Sequence, residues 1–108
     1  MDERQARMNN EQVISKFAAK TASATLTLDE NRVEVDSTAG AMTITLPPVA
    51  EAKGLEFAII LVTDGGDLTI QDQDDSYNWS DLTCDDALDG FLLKSDGKTW
   101  WQLAAITA

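Results

Sequence analysis

From residue 23 onward, apolar and polar residues alternate in short bursts, and most bursts end in residues that turn a chain. Ala24, Leu26 and Leu28 alternate with Ser23, Thr25 and Thr27, the period-2 mark of a half-buried strand. Asp29-Glu30-Asn31 turns the chain. Val33 and Val35 then alternate with Arg32, Glu34 and Asp36, which predicts a second strand and a hairpin with the first. Over 41–46, Met42, Ile44 and Leu46 take the inward positions and threonines the outward ones. Pro47-Pro48 closes that strand, because neither proline can donate to a ladder. Residues 49–53 predict a single helical turn ending on Gly54. The most apolar stretch, 55–62 (LEFAIILV), predicts a central strand buried on both faces. Asp64-Gly65-Gly66 supplies a tight turn before a strand at 67–71, and 72–81 is the longest polar loop. A weak strand follows near Leu82 to Cys84. Strands at 91–95 and 99–107 are joined around Asp96-Gly97, a strong hairpin signal.

The pattern predicts a mainly β chain: a compact antiparallel sandwich, barrel or prism of about eight short strands. It is preceded by a short N-terminal helix or arm. Residues 1–20 form that arm and 21–108 the β domain. Residues 1–10 are a polar tail, whereas 11–20 place Val13, Ile14 and Phe17 on one face of a short amphipathic helix. Ten residues are too few for a helix stable on its own. That face therefore packs on the protein's own body or docks on another chain.

Charge sharpens the distinction between arm and body. The net charge of −11 is uneven: residues 1–20 carry four basic and three acidic residues, and the rest of the chain carries four and sixteen. So acidic a body repels nucleic acid and anionic membrane surfaces, so neither is an expected partner. It also repels its own copies unless they meet through an apolar patch. There is no secretion-type N-terminus and no run of ~18 apolar residues to span a bilayer. Hydrophobic residues at 44% and charged residues at 25% are ordinary for a globular domain.

Candidate chemistry is sparse. The chain has no histidine, which removes histidine bases, Ser-His-Asp or Cys-His nucleophile systems and histidine metal sites. Cys84 is the only cysteine, and Asp81, Asp85 and Asp86 beside it disfavour the thiolate, so packing is its expected role. No enzyme activity and no cofactor are expected. The loop Asp72-Gln73-Asp74-Asp75-Ser76 offers alternating oxygens, with Asp72, Asp74 and Ser76 as a weak calcium alternative. It has Tyr77 and Thr83 where an EF-hand loop needs glycine and glutamate. Trp100 and Trp101 are consecutive on a strand and face opposite sides, one to the core and the other to an outer face or subunit contact. Trp79 is a candidate for ligand stacking.

From about Ser23 to Ile106 the chain resembles a β-module recurrent in virion proteins of tailed bacteriophages. The order runs from Thr43-Ile44-Thr45-Leu46-Pro47, through an Ala-rich turn ending at Gly54, into the apolar strand Phe57 to Val62. It continues with the turn Asp64 to Gly66 and Leu68-Thr69-Ile70, and closes with Ser95-Asp96-Gly97-Lys98-Thr99-Trp100 and a final apolar strand. Such modules occur in capsid decoration (cement) proteins and in tail fibres and spikes, commonly as trimers. The resemblance implies a protein of the capsid exterior, assembled in the bacterial host cytoplasm. It would bind the major capsid protein as a homotrimer and stabilise the shell by bridging capsomers. Its contacts would be Val13, Ile14, Phe17 and Trp101, with Arg4, Arg7 and Lys16 meeting shell carboxylates. The alternative is a trimeric tail-fibre, receptor- or glycan-binding module using Trp79 and the 72–81 loop; a generic β interaction domain is a third reading. Trp101 departs from the module, since Leu103 to Ile106 are more uniformly apolar than usual, which suits a C-terminus buried at a contact.

Overall fold

The computed structural model describes residues 16–107. Among them the chain is all-β, with nine strands and no helix. In order these are β1 (Phe17–Lys20), β2 (Ala24–Thr25), β3 (Arg32–Asp36), β4 (Met42–Thr45), β5 (Glu56–Thr63), β6 (Leu68–Gln71), β7 (Leu82–Cys84), β8 (Gly90–Ser95) and β9 (Trp100–Ile106). They build two mixed sheets, β1-β3-β5-β8-β9 and β2-β4-β6-β7.

Through β6, successive strands alternate between the sheets. In-sheet neighbours therefore run parallel: β1 beside β3 beside β5, and β2 beside β4 beside β6. Each pair of consecutive strands is one rung with a strand in each layer. After the third rung the chain reverses, and β7, β8 and β9 join as antiparallel strands. This mixed pairing corrects two expectations. The sheets are not wholly antiparallel, and the strands either side of Asp29-Glu30-Asn31 are no hairpin, because β2 and β3 lie in different sheets. A turn signal fixes where a chain bends but not which strand it bends toward.

The β alternation places the core between the layers. Val33, Val35, Phe57, Ile59, Leu61 and Leu93 of the first sheet meet Met42, Ile44, Leu68, Ile70 and Cys84 of the second. Leu26, Leu46, Val49 and Ala52 close the ends. The second sheet's outer face carries threonines in register, Thr43 beside Thr69 beside Thr83, and Gln71 Nε2 donates to Thr45 Oγ1 at 3.0 Å. That face is made for water. At the corner after β3, buried Ser37 Oγ accepts the N–H of Gly65 (3.0 Å) and of Gly66 (3.2 Å). A Cβ on Gly65 would lie 2.5 Å from the Ser37 carbonyl oxygen, so the two corners touch only because both glycines are bare.

The expected helix over 11–20 is also corrected where it is described. Phe17–Lys20 is the parallel edge strand β1, with Ala18 inward and Phe17 exposed. Pairing with β3 supplies backbone hydrogen bonds that so short a helix cannot secure alone. Residues 49–53 form a turn, Ala52 N–H donating to Pro48 O at 3.0 Å, that ends on Gly54.

Candidate functional site

The segment Ser95 to Trp100 is a rigid hairpin, and its side chains do the rigidifying. Asp96 Oδ1 accepts the N–H of Lys98 (2.8 Å) and of Thr99 (2.9 Å), and Asp96 Oδ2 accepts the Trp101 indole N–H at 2.9 Å. The indole first, then those two backbone donors, pull the Asp96 carboxyl down to about 2. Gly97 takes the left-handed φ of 94° that the turn demands. Ser95 Oγ, fully buried, donates to Val49 O at 2.6 Å and accepts the Gly97 N–H at 3.0 Å, tying the hairpin to the 47–55 turn. Trp100 then enters the core edge-on to Phe57, with ring centroids 5.6 Å apart. Its neighbour Trp101 is 41% exposed on the other side. The expected opposition of the two tryptophans is observed.

Behind this hairpin lies the outer face of the first sheet. Register aligns Phe17, Arg32, Ala58, Leu92 and Ala104 in one row across all five strands. The next row holds Ala19, Glu34, Ile60, Gly90 and Ile106, and a third holds Glu56, Lys94 and Trp101. Phe17, Ile60, Leu92 and Ile106 line a groove of about 390 Å³ there. The charges in these rows balance, Arg32 and Lys94 against Glu34 and Glu56, with Lys94 Nζ 3.8 Å from Glu56 Oε2. Thus β5 buries only one face: Phe57, Ile59 and Leu61 point inward, while Ala58 and Ile60 are half-buried and Val62 is exposed. The expectation of burial on both faces fails for want of a third layer.

The last strand is the least covered. The first sheet has five strands and the second four, and past Trp100 every residue of β9 is exposed. A register shift inserts an extra residue in β9 between the partners of Leu92 and Leu93. Leu103 sits there and shares a depression with Trp101 and Lys94.

Of the contact residues read from the sequence, Arg4, Arg7, Val13 and Ile14 lie outside the described residues. Lys16 is exposed, and its backbone extends the sheet: its N–H donates to Asp29 O at 2.8 Å. Phe17 and Trp101 fall on the same sheet face, toward opposite edges. Trp79 packs partly buried against the core, donates its indole N–H to Asp81 at 2.9 Å and lines a depression of about 150 Å³ with Trp100 and Gln102. Asp72 accepts the N–H of Asp74 and Ser76, and Asp74 Oδ2 accepts the Val49 N–H at 2.7 Å. These oxygens brace the loop against the Pro47-Pro48 turn; they are not gathered as a calcium cage. Among the described residues the acids that do converge are Asp85, Asp86 and Asp89, within 4.8 Å of one another. Asp89 Oδ2 accepts both the Asp85 and Asp86 N–H, and a hydrogen bond shared with Asp89, then the Asp86 charge, raise the Asp85 carboxyl. Cys84 is fully buried, and burial first, then the Asp89 and Asp85 charges, push its thiol up to about 12.

From the sequence, Arg32 and Glu34 are only the polar side of a strand, and Ala58 and Ile60 belong to a run expected to be buried on both faces. The signal for the outer face was present in two places: the unbroken apolar run of β5 and the uniform apolarity of Leu103 to Ile106. No protein-family model, curated protein or solved structure matches the chain.

Proposed function

We propose that this chain is a non-catalytic structural protein of a tailed-phage virion, which binds the outer capsid surface as a trimer and stabilises the shell by bridging capsomers. The observation that carries the reading is the contrast between the two outer faces. One is a threonine lattice suited to water, and the other is an apolar face of nearly balanced charge on a strongly acidic body. A protein so divided binds other proteins. The motif order from Thr43-Ile44-Thr45-Leu46-Pro47 to Ser95-Asp96-Gly97 supports the virion setting. It also has a physical role here, since the first segment ends at the turn that Ser95 grips.

Residues 1–15, with Val13, Ile14, Arg4 and Arg7, are the proposed clasp on the major capsid protein, joined to the body beside Lys16 and Phe17. Three such clasps per trimer bind together with an avidity none has alone. The tail-fibre or glycan-binding alternative weighs less, because Trp79 is packed against the core.

The test is co-sedimentation with expanded shells. The full chain should pellet at high occupancy, and a chain lacking residues 1–15 should fold yet stay in the supernatant. Quantifying the chain in purified virions separates the roles: hundreds of copies fit decoration, and a few copies point to the tail and overturn it.

A further inference from the structure

We infer that β9 and the outer face of the first sheet are where copies of this chain meet, with Arg32 of one copy set against Glu34 of the next. This deepens the trimeric part of the preceding reading and rests on it.

Three observations converge. First, β9 is an edge strand of the five-stranded sheet, and every residue of it past Trp100 is exposed. Trp101, Leu103 and Ile106 are 41%, 51% and 59% exposed, and no charged residue occurs from Trp100 to the C-terminus. Edge strands that remain free in solution are blunted by lysine, proline or inward charge, because bare N–H and C=O groups beside apolar side chains recruit other strands. This edge has no such guard. Second, the apolar surface does not stop at β9 but continues across the sheet as the groove that Phe17, Ile60 and Leu92 line.

Third, charge selects the occupant. The chain carries a net −11, so two copies repel through most orientations. This face carries Arg32 and Lys94 against Glu34 and Glu56, with Asp36 at the end of β3 adding one negative charge, so copies approach here with far less repulsion than through the rest of the acidic surface. Arg32 and Glu34 sit two residues apart on the same side of β3, and Arg32 makes no ion pair among the described residues. A neighbouring copy presents the same two charges, so each Arg32 finds a Glu34 around a closed ring, as a cyclic assembly requires.

The experiment measures mass by analytical ultracentrifugation on the full chain, on four single variants and on one double variant. The wild type should sediment at three times the chain mass. L103D and I106D should sediment at the mass of one chain with unchanged β circular dichroism. R32E and E34R should each lose the trimer alone, and the double variant R32E/E34R, which restores an opposite-charge pair at every contact of the ring, should regain it, an outcome that misfolding cannot produce. A wild type that stays monomeric at every concentration overturns the inference, and so does a trimer that survives all four changes. In the second case shell co-sedimentation persists, so the functional reading stands while the surface falls. If trimers dissociate as expected but neither form binds shells, the surface stands and the capsid role falls.

Discussion

Replacing Ser95 by alanine removes one oxygen and tests whether the hairpin is held as described. Ser95 Oγ is fully buried and serves two backbone groups, the Val49 carbonyl at 2.6 Å and the Gly97 N–H at 3.0 Å. The two losses are unequal. Gly97 is half-buried, so water replaces the oxygen at its N–H and the cost is a few tenths of a kcal/mol to about 1 kcal/mol. Val49 is buried, and among the described residues the serine is the donor to its carbonyl, so that carbonyl is stranded at about 1–3 kcal/mol. Alanine opens no cavity large enough to matter, which leaves a total of about 2–3 kcal/mol. For a domain of this size that lowers Tm by roughly 10–20 °C. Urea unfolding followed by tryptophan fluorescence reads the change directly, with the m-value unaltered. Thr83→Ala, on the water-facing lattice of the second sheet, is the control and should stay within about 0.5 kcal/mol of the parent. If Ser95→Ala also stays within that band, the hairpin is not anchored through this hydroxyl.

Three further outcomes rest on buried contacts elsewhere in the domain. Glu30 accepts the Thr27 N–H and the Lys20 ammonium, each at 2.9 Å, and these hold its carboxyl below the ordinary 4.5. Its contribution is therefore whole above about pH 4.5 and drains away as acid passes through the lowered value. Glu30→Gln should flatten that part of the acid limb, and parallel stability–pH curves for parent and variant would count against it. Cys84, buried with its thiol pushed up to about 12, should resist a thiol reagent at pH 8 until urea unfolds the chain; labelling at the rate of a free thiol would place it at the surface. Gly66→Ala should cost about 1–3 kcal/mol by calorimetry, because its Cβ would lie 2.6 Å from the Gly40 carbonyl carbon, and an unchanged Tm would mean the corners are not in contact.

What the sequence disclosed and what it hid divide along a physical line. Strand positions were legible because alternation is a property of each segment by itself: Met42, Ile44, Leu68 and Ile70 point inward as their spacing demands. The Asp96-Gly97 hairpin was legible for the same reason, since its bonds lie within a few residues. Pairing was not. Whether Val33 lies beside Ile59 or beside Leu26 depends on contacts far apart in sequence, and period-2 patterns read identically for parallel and antiparallel mates. Phe17 misled because Val13, Ile14 and Phe17 fit a helical stripe, whereas the open edge of β3 decides the conformation of Phe17–Lys20. The site was half visible. Leu103 to Ile106 stand out as uniformly apolar, but only the register shows that Phe17, Arg32 and Leu92 share the sheet face of Ala104 and Ile106.

The rung-by-rung wiring has a consequence for how the chain reaches this state. From β1 to β6 no strand pairs with the one that follows it: Val33 waits for Ile59, and Ile44 for Ile70, each 26 residues downstream. Closing such spans costs chain entropy before any ladder bond repays it, which places folding among the slower two-state domains, in milliseconds to seconds. Consecutive strands pair only later, β6 with β7 across the 72–81 loop and β8 with β9, the tighter ribbon, whose ends meet across four residues. This ribbon is the natural first-formed piece, so a nascent chain exposes the six strands of the parallel pairs, β1 to β6, until β8 and β9 have been synthesised. Translation pauses or truncations late in the message should therefore harm yield far more than changes near the start.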